Sequence, residues 1–297
     1  MARTHVWLQC GPPSADKRSS VSGYSDTTLP TYARPPVAEV VVGMQFDRVP
    51  PLSNALLGGF WKSLPQNDWP AAYDAPFVPA QFEVFTRSPR WLEGPRLQLS
   101  SSPQCRIQIR HATQDRMIQV QNGRLYFNWQ KKPGQEYPRF EEVIDGFVYA
   151  SSAFADFLAT ANVGPVKPNH WEVTYVNRIP RNTVWATPAD WDFFSLLPCI
   201  PSIENVVTGE SFSGEWTFEI PRNLGRLHVR WDTLSQAKPD DSSDAIRLTL
   251  SARGPLRKDT DGIAAVLEGA QLGRKAIVIT FRNLMSDKAN AFWGLEQ

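Results

Sequence analysis

Cysteine is scarce in this 297-residue chain: Cys10, Cys105 and Cys199 are the only three, and no two stand at the spacing of a metal ribbon or a redox pair. That pattern argues against a disulfide framework and fits a reducing compartment. Long apolar runs are also missing. No window approaches the roughly 18 uninterrupted apolar residues that a membrane span needs, and Val6-Trp7-Leu8, followed by Gly11-Pro12-Pro13, is too brief for a signal-peptide core. A cytoplasmic protein with no membrane partner is expected. Nor is there an excess of one charge: 31 basic against 30 acidic residues leave a net charge of +1, so the overall balance announces no polyanionic partner. What remains is 42% hydrophobic residues, enough for one large core or two ordinary ones, which excludes a disordered or fibrous chain.

Catalytic signatures are absent as well. His5, His111, His170 and His228 are scattered. There is no nucleophile elbow, no phosphate loop ending in Lys-Ser or Lys-Thr, and no His-Glu-x-x-His. Gly269 and Gly273 fall inside a helical pattern with nothing around them to cradle phosphate. Glu141-Glu142 suit a helix N-terminus, and Asp240-Asp241 with Asp244 read as a solvated hairpin tip. Neither a metal, a cofactor nor a catalytic residue is expected, and the balance leans away from an enzyme.

Periodicity supplies the organisation. Residues 1–33 are rich in Ser, Thr, Pro and Gly without apolar period and read as a flexible leader. Residues 37–46 are a β-branched run, hence a strand. Residues 52–64 place Leu56, Leu57, Phe60, Trp61 and Leu64 at helical spacing before Pro65. The proline-rich stretch 66–103 reads as an irregular connection with one strand near 81–86. Strands follow at 105–110, 117–121 and 124–129, the last two joined by Asn122-Gly123, a strong hairpin signal. A helix is expected over 140–161. The second half repeats the scheme, with strands at 170–177, 215–220, 225–231 and 245–251, a helix over 260–283 whose Ile277-Val278-Ile279-Thr280 end also suits a strand, and a short turn capped by Ser286. Of the 11 tryptophans, Trp61, Trp129 and Trp231 occupy core-like positions, whereas Trp69, Trp91, Trp185 and Trp191 suit the pinning of loops.

Strands followed by a covering helix, twice, define an α+β protein with antiparallel sheets, in an N-terminal half 34–164 and a C-terminal half 165–297. Gly123-Arg124-Leu125 with Trp129 recurs as Gly225-Arg226-Leu227 with Trp231. That echo suggests an internal duplication; chance similarity between two amphipathic strands is the alternative.

Several strings carry a wider likeness: Pro35-Pro36 leading to Glu39-Val40-Val41, Gly43 and Phe46; residues 118–125 through Asn128-Trp129; Tyr137-Pro138-Arg139-Phe140; residues 172–177; and Phe292-Trp293-Gly294. Together they resemble a sporadically distributed family of bacterial proteins with no established biochemical activity, over residues 34–297 and most specifically over 118–140. The resemblance implies an intracellular prokaryotic protein, carried between genomes, and implies no reaction.

Arginine usage is the most suggestive chemistry, 22 Arg against 9 Lys. Residues 87–124 hold seven arginines, no lysine and two acids, Glu93 and Asp115. Alternation puts Ile107, Ile109, Ile118, Val120, Leu125 and Phe127 on one face of the hairpin strands. Arg106, Arg110, Arg124 and Tyr126 share the other. A solvated face of that kind suits a carboxylate or phosphate, because guanidinium is a rigid fork that matches either. The leading expectation is a non-enzymatic binding protein that offers Arg106, Arg110, Arg124 and Tyr126 to a protein partner or an anionic ligand. The rivals are a nucleic-acid binder and an enzyme on a phosphorylated or nucleotide substrate, with Glu172 or Glu142 as base.

Overall fold

A computed structural model describes residues 29–85, 105–186, 192–195, 213–234, 244–257 and 262–296. The expected features at Cys10, Arg87, Trp91, Glu93, Arg96, Trp191, Cys199 and Asp240-Asp241, and most of the leader, lie outside these residues.

Among the described residues the order is β1 (Thr31–Tyr32), β2 (Val37–Phe46), α1 (Asn54–Ser63), β3 (Ala71–Pro76), β4 (Cys105–Arg110), β5 (Arg116–Gln121), β6 (Arg124–Gln130), α2 (Phe140–Thr160), β7 (Pro168–Pro180), β8 (Ser213–Ile220), β9 (Gly225–Leu234), β10 (Ala245–Pro255), α3 (Gly262–Leu284), α4 (Asp287–Phe292) and β11 (Leu295–Glu296). The α+β class is as the periodicity predicts. Both halves share one antiparallel sheet of nine strands in the order β3-β4-β5-β6-β2-β7-β10-β9-β8, in which β2 and β7, the first long strand of each half, pair at the centre.

The helices lie on one face. α2 packs on β6 and β2, α3 on β7 and β10, and α1 beside β4 and β5. The α2 stripe of Phe140, Val143, Phe147, Ala150, Phe154 and Leu158 is buried, as its spacing requires. Each such aromatic withdrawn from water contributes about 1.5–3 kcal/mol before packing. Ser53 caps α1, its hydroxyl accepting the Leu56 N–H at 3.4 Å. Around Trp171 the packing depends on glycine: a Cβ on Gly269 would sit 2.1 Å from the indole Cδ1, and one on Gly273 2.7 Å from its Cζ3. These helix glycines admit a tryptophan.

In each half a three-strand meander (β4-β5-β6 and β8-β9-β10) returns its last strand beside the first, and a long helix follows. That topological repeat does not coincide with the sequence echo: Arg124 stands on β6 and Arg226 on β9, whereas the counterpart of β6 is β10.

Several expectations need correction. Thr31 and Tyr32 pair with Glu296 and Leu295, so regular structure begins inside the expected leader; the buried Tyr32 hydroxyl donates to Asn290 Oδ1 at 2.7 Å. Strand β3 arises where an irregular connection was expected. The Ile277–Thr280 run stays helical, because α3 presents Ile277 and Phe281 to the core one turn apart. At the β5–β6 hairpin only Gly123 has positive φ, at 107°, the sign pattern of a type II rather than a type I′ turn. Asn122 instead uses its side chain, accepting the Val49 N–H at 2.9 Å and donating to the Val49 and Leu52 carbonyls. No helix among the described residues is long and apolar enough to cross a membrane.

Candidate functional site: a polar sheet face crossed by a strap

Strand alternation places the expected residues on one face, opposite the helices, and the register aligns them in rows. One row runs Gln121–Arg124–Gln45–His170 across β5, β6, β2 and β7, with Arg106 extending it on β4. The next runs Gln119–Tyr126–Gly43–Glu172–Arg253–Arg226 from β5 to β9.

This face is not the solvated surface that its polarity suggests. Residues 77–85 cross it from β5 to β9, and the strand expected to start at Gln81 pairs with no other strand among the described residues. Each step along this strap meets the next strand. Gln121 on β5 grips Val78, accepting its N–H at 3.0 Å and donating to its carbonyl at 2.7 Å. Arg124 Nη2 on β6 donates to the Pro79 carbonyl at 2.6 Å. Gln45 on β2 grips Gln81 in the same two-handed way, at 2.9 and 2.7 Å. The Phe82 ring stands edge-on to His170 of β7 with centroids 5.0 Å apart, and Glu83 then meets β10 and β9. Both glutamines are only 1% exposed.

Glu83 gathers three cationic or imidazole partners at one buried carboxylate. Arg253 Nε donates to its Oε1 at 2.6 Å and Arg226 Nη1 to its Oε2 at 2.7 Å. His228 Nε2 lies 2.8 Å from Oε1, a contact that requires the proton on Nε2, since a carboxylate oxygen only accepts. Arg253 Nη2, 3.0 Å from the same nitrogen, can donate to it only when that proton is elsewhere, so the two contacts are alternatives. Arg253 Nη1 also donates to Gln81 Oε1 at 2.6 Å, and Arg226 Nη2 to the Val84 carbonyl at 2.8 Å. The Arg226 guanidinium lies over Phe85, 4.5 Å from the ring centre. Burial alone would raise the Glu83 pKa. Hydrogen bonds from His228, Arg226 and Arg253 outweigh it and hold the carboxyl well below the usual range.

Of the four residues singled out in the sequence, Arg124 and Tyr126 come together, but inside the protein. Arg124, 2% exposed, donates to the Tyr126 hydroxyl and lies 3.6 Å from Glu172. Tyr126 donates to Glu172 Oε2 at 2.9 Å, and burial, reinforced by Glu172, raises its pKa well above the ordinary value. The expected outward guanidinium of Arg124 is thus already paired with an internal acid beneath a further layer of chain. Arg106 is half-buried beside Tyr126 and Arg124, and burial lowers its pKa. Arg110 stands apart, half-buried, 5.9 Å from the Tyr73 ring centre. The residues missed were Gln45, Gln121, Glu83, Arg226, His228 and Arg253. An available signal was one acid set among Phe82, Val84 and Phe85.

The strap leaves part of the row unsatisfied. Arg106 Nε, Arg124 Nε and His170 Nε2 are buried and have no hydrogen-bond partner among the described residues. Burial, with Arg253 and Arg124, pushes the His170 pKa down and so favours the neutral ring. A cavity of about 230 Å³ opens between strap and sheet, lined by Gln45, Arg48, Ala80, Phe82, Gln121 and Arg124 among others. Glu142, the other acid considered as a base, is exposed on α2, on the helix side of the sheet. No cluster of metal-binding side chains occurs among the described residues. Comparison with protein-family models, curated proteins and solved structures returned no match.

Proposed function

We propose that the protein is a binding protein whose ligand presents a carboxylate to the sheet face at Arg226, His228 and Arg253. One observation carries this reading: two neighbouring strands converge two guanidinium groups and an imidazole on a single carboxylate whose side chain is 3% exposed. Such charge-assisted contacts are about twice as strong as neutral ones and define the planar geometry of a carboxylate. Here the chain's own Glu83 fills the receptor. The anion-recognising chemistry expected of Arg106, Arg110 and Arg124 is thus moved along the same face to β9 and β10. A nucleic-acid ligand finds no comparable support, since Arg124, Arg226 and Arg253 already face carboxylates and strap carbonyls.

Removing the internal acid tests the reading. Glu83→Ala opens a carboxylate-sized gap against the three donors, and acetate is expected to raise the melting temperature of this variant above the effect of equal chloride. Wild-type protein, with the receptor filled, shows no such difference, and neither does Glu83→Ala combined with Arg226→Gln and Arg253→Gln. A folded Glu83→Ala protein that responds identically to acetate and chloride overturns the proposal.

A further inference from the structure

We infer that residues 77–85 hold, in cis, the place of an extended acidic segment of a partner protein, which displaces them; this rests on the carboxylate receptor proposed above. Gln45 and Gln121 carry the argument. Each is buried, and each uses its amide to satisfy both the N–H and the carbonyl of one strap residue. That mode reads a main chain and ignores the side chain on it, so any extended peptide can be held alike.

The way the strap adheres suits replacement. Among the described residues its backbone bonds only to side chains of the sheet, through Gln45, Gln121, Arg124 and Arg226. Two of its apolar groups, Phe82 at 55% and Val84 at 59% exposed, lie mostly in water, while Phe77, Val78 and Phe85 are half-buried. Part of its apolar area therefore stays in water whether the strap is seated or lifted, and its neutral polar contacts exchange for water at little net free energy, which leaves the Glu83 ion pairs as the main anchor.

The fit is also incomplete in a way that specifies the occupant. Ala80 borders the 230 Å³ cavity together with Arg124, whose Nε is buried without a partner. An acidic side chain at the position of Ala80, which lines that space, would be drawn to Arg48 and Arg124 there, against the opposing charge of Asp47. The preferred segment is therefore extended, with an acid three residues before the glutamate that takes the place of Glu83.

The test uses the full chain with Glu83→Gln, which weakens the strap, and fluorescently labelled nonapeptides. The peptide FVPAQFEVF, copied from residues 77–85, should bind this variant, and FVPEQFEVF should bind about tenfold or more tightly, the value of one added charge-assisted hydrogen bond. FVPAQFQVF should not bind. Wild-type protein should bind each peptide at least tenfold more weakly, because a tethered competitor acts at an effective concentration in the millimolar range. Uptake of acetate by Glu83→Ala with no peptide binding by folded Glu83→Gln would overturn this inference and leave the carboxylate receptor standing. Loss of both would remove the receptor itself. A concentration-dependent dimer dissolved by free peptide would assign the groove to the strap of a second copy and overturn the partner. Should Glu83→Gln not fold, hydrogen exchange on the wild type decides: the Val78 and Gln81 amides should exchange at least tenfold faster than the β6 core amides, about 1.4 kcal/mol of easier opening. Exchange only through global unfolding would refute displacement.

Discussion

The Tyr126 hydroxyl reaches Glu172 Oε2 at 2.9 Å by lying across Gly43, which stands between them on the central strand β2. A Cβ at Gly43 would sit 2.0 Å from Tyr126 Cδ1 and 2.9 Å from the Leu125 carbonyl oxygen. The absence of a side chain there permits the bridge.

Gly43→Ala is accordingly expected to destabilise the protein by about 1–3 kcal/mol, the ordinary cost of overpacking. In a Tyr126→Ala background the share of that cost due to the ring should vanish, leaving the approach to the Leu125 carbonyl oxygen. Urea denaturation of the two single variants and the double variant measures the coupling.

Arg124 and Arg110 should separate sharply. Arg124→Gln leaves Glu172, 12% exposed in its side chain, without its cation, and is expected to cost about 3 kcal/mol. Arg110→Gln, on a half-buried cation beside Tyr73, should stay within about 0.5 kcal/mol. Equal denaturation midpoints for the two variants would contradict the inward placement of Arg124.

Acid should loosen the strap through Glu83. The folded-state pKa of Glu83 is depressed, so the unfolded chain binds its proton first as pH falls. The stabilisation is therefore complete above the unfolded carboxyl pKa of about 4.3 and is lost progressively below it. The stability difference between wild type and Glu83→Gln, followed by denaturant titration from pH 7 to pH 3, should shrink toward the acid end. A difference that stays constant over that range would mean that Glu83 is not held as an anion.

Helix α3 owes its seat to glycine. Gly269→Ala would press a methyl group onto the Trp171 indole and is expected to cost about 1–3 kcal/mol. Because a helix-interior Gly→Ala change on an exposed face instead gains up to about 1 kcal/mol, the sign of the shift in melting temperature tests the contact.

Much of this architecture is legible in the chain. The β-branched run of β2, the 3.6-residue stripe of α2 and the Asn122-Gly123 hairpin each carry a local period or turn preference, and each element lies within a few residues of where that signal puts it. Alternation likewise assigns Arg106, Arg124 and Tyr126 to a common face. What alternation cannot say is whether a polar face meets water. Gln121 finds Val78 over a separation of 43 residues and Arg253 finds Glu83 over 170, and no local pattern encodes contacts of that span. The strap misleads for the same reason: Phe82-Glu83-Val84-Phe85 alternates like a strand, yet its inward residue answers to arginines and a histidine on distant strands instead of to a neighbouring backbone.

The central pairing of β2 with β7 joins the two halves along eight residue pairs from Glu39↔Val176 to Phe46↔Pro168. Severing the chain between α2 and β7 would strip each of these strands of one neighbour and bare a long hydrogen-bonding margin in both fragments, an invitation to precipitation. The halves are thus stitched together at the very point where the sequence looks most like two, and shortened versions made by cutting there are expected to report on aggregation before they report on recognition.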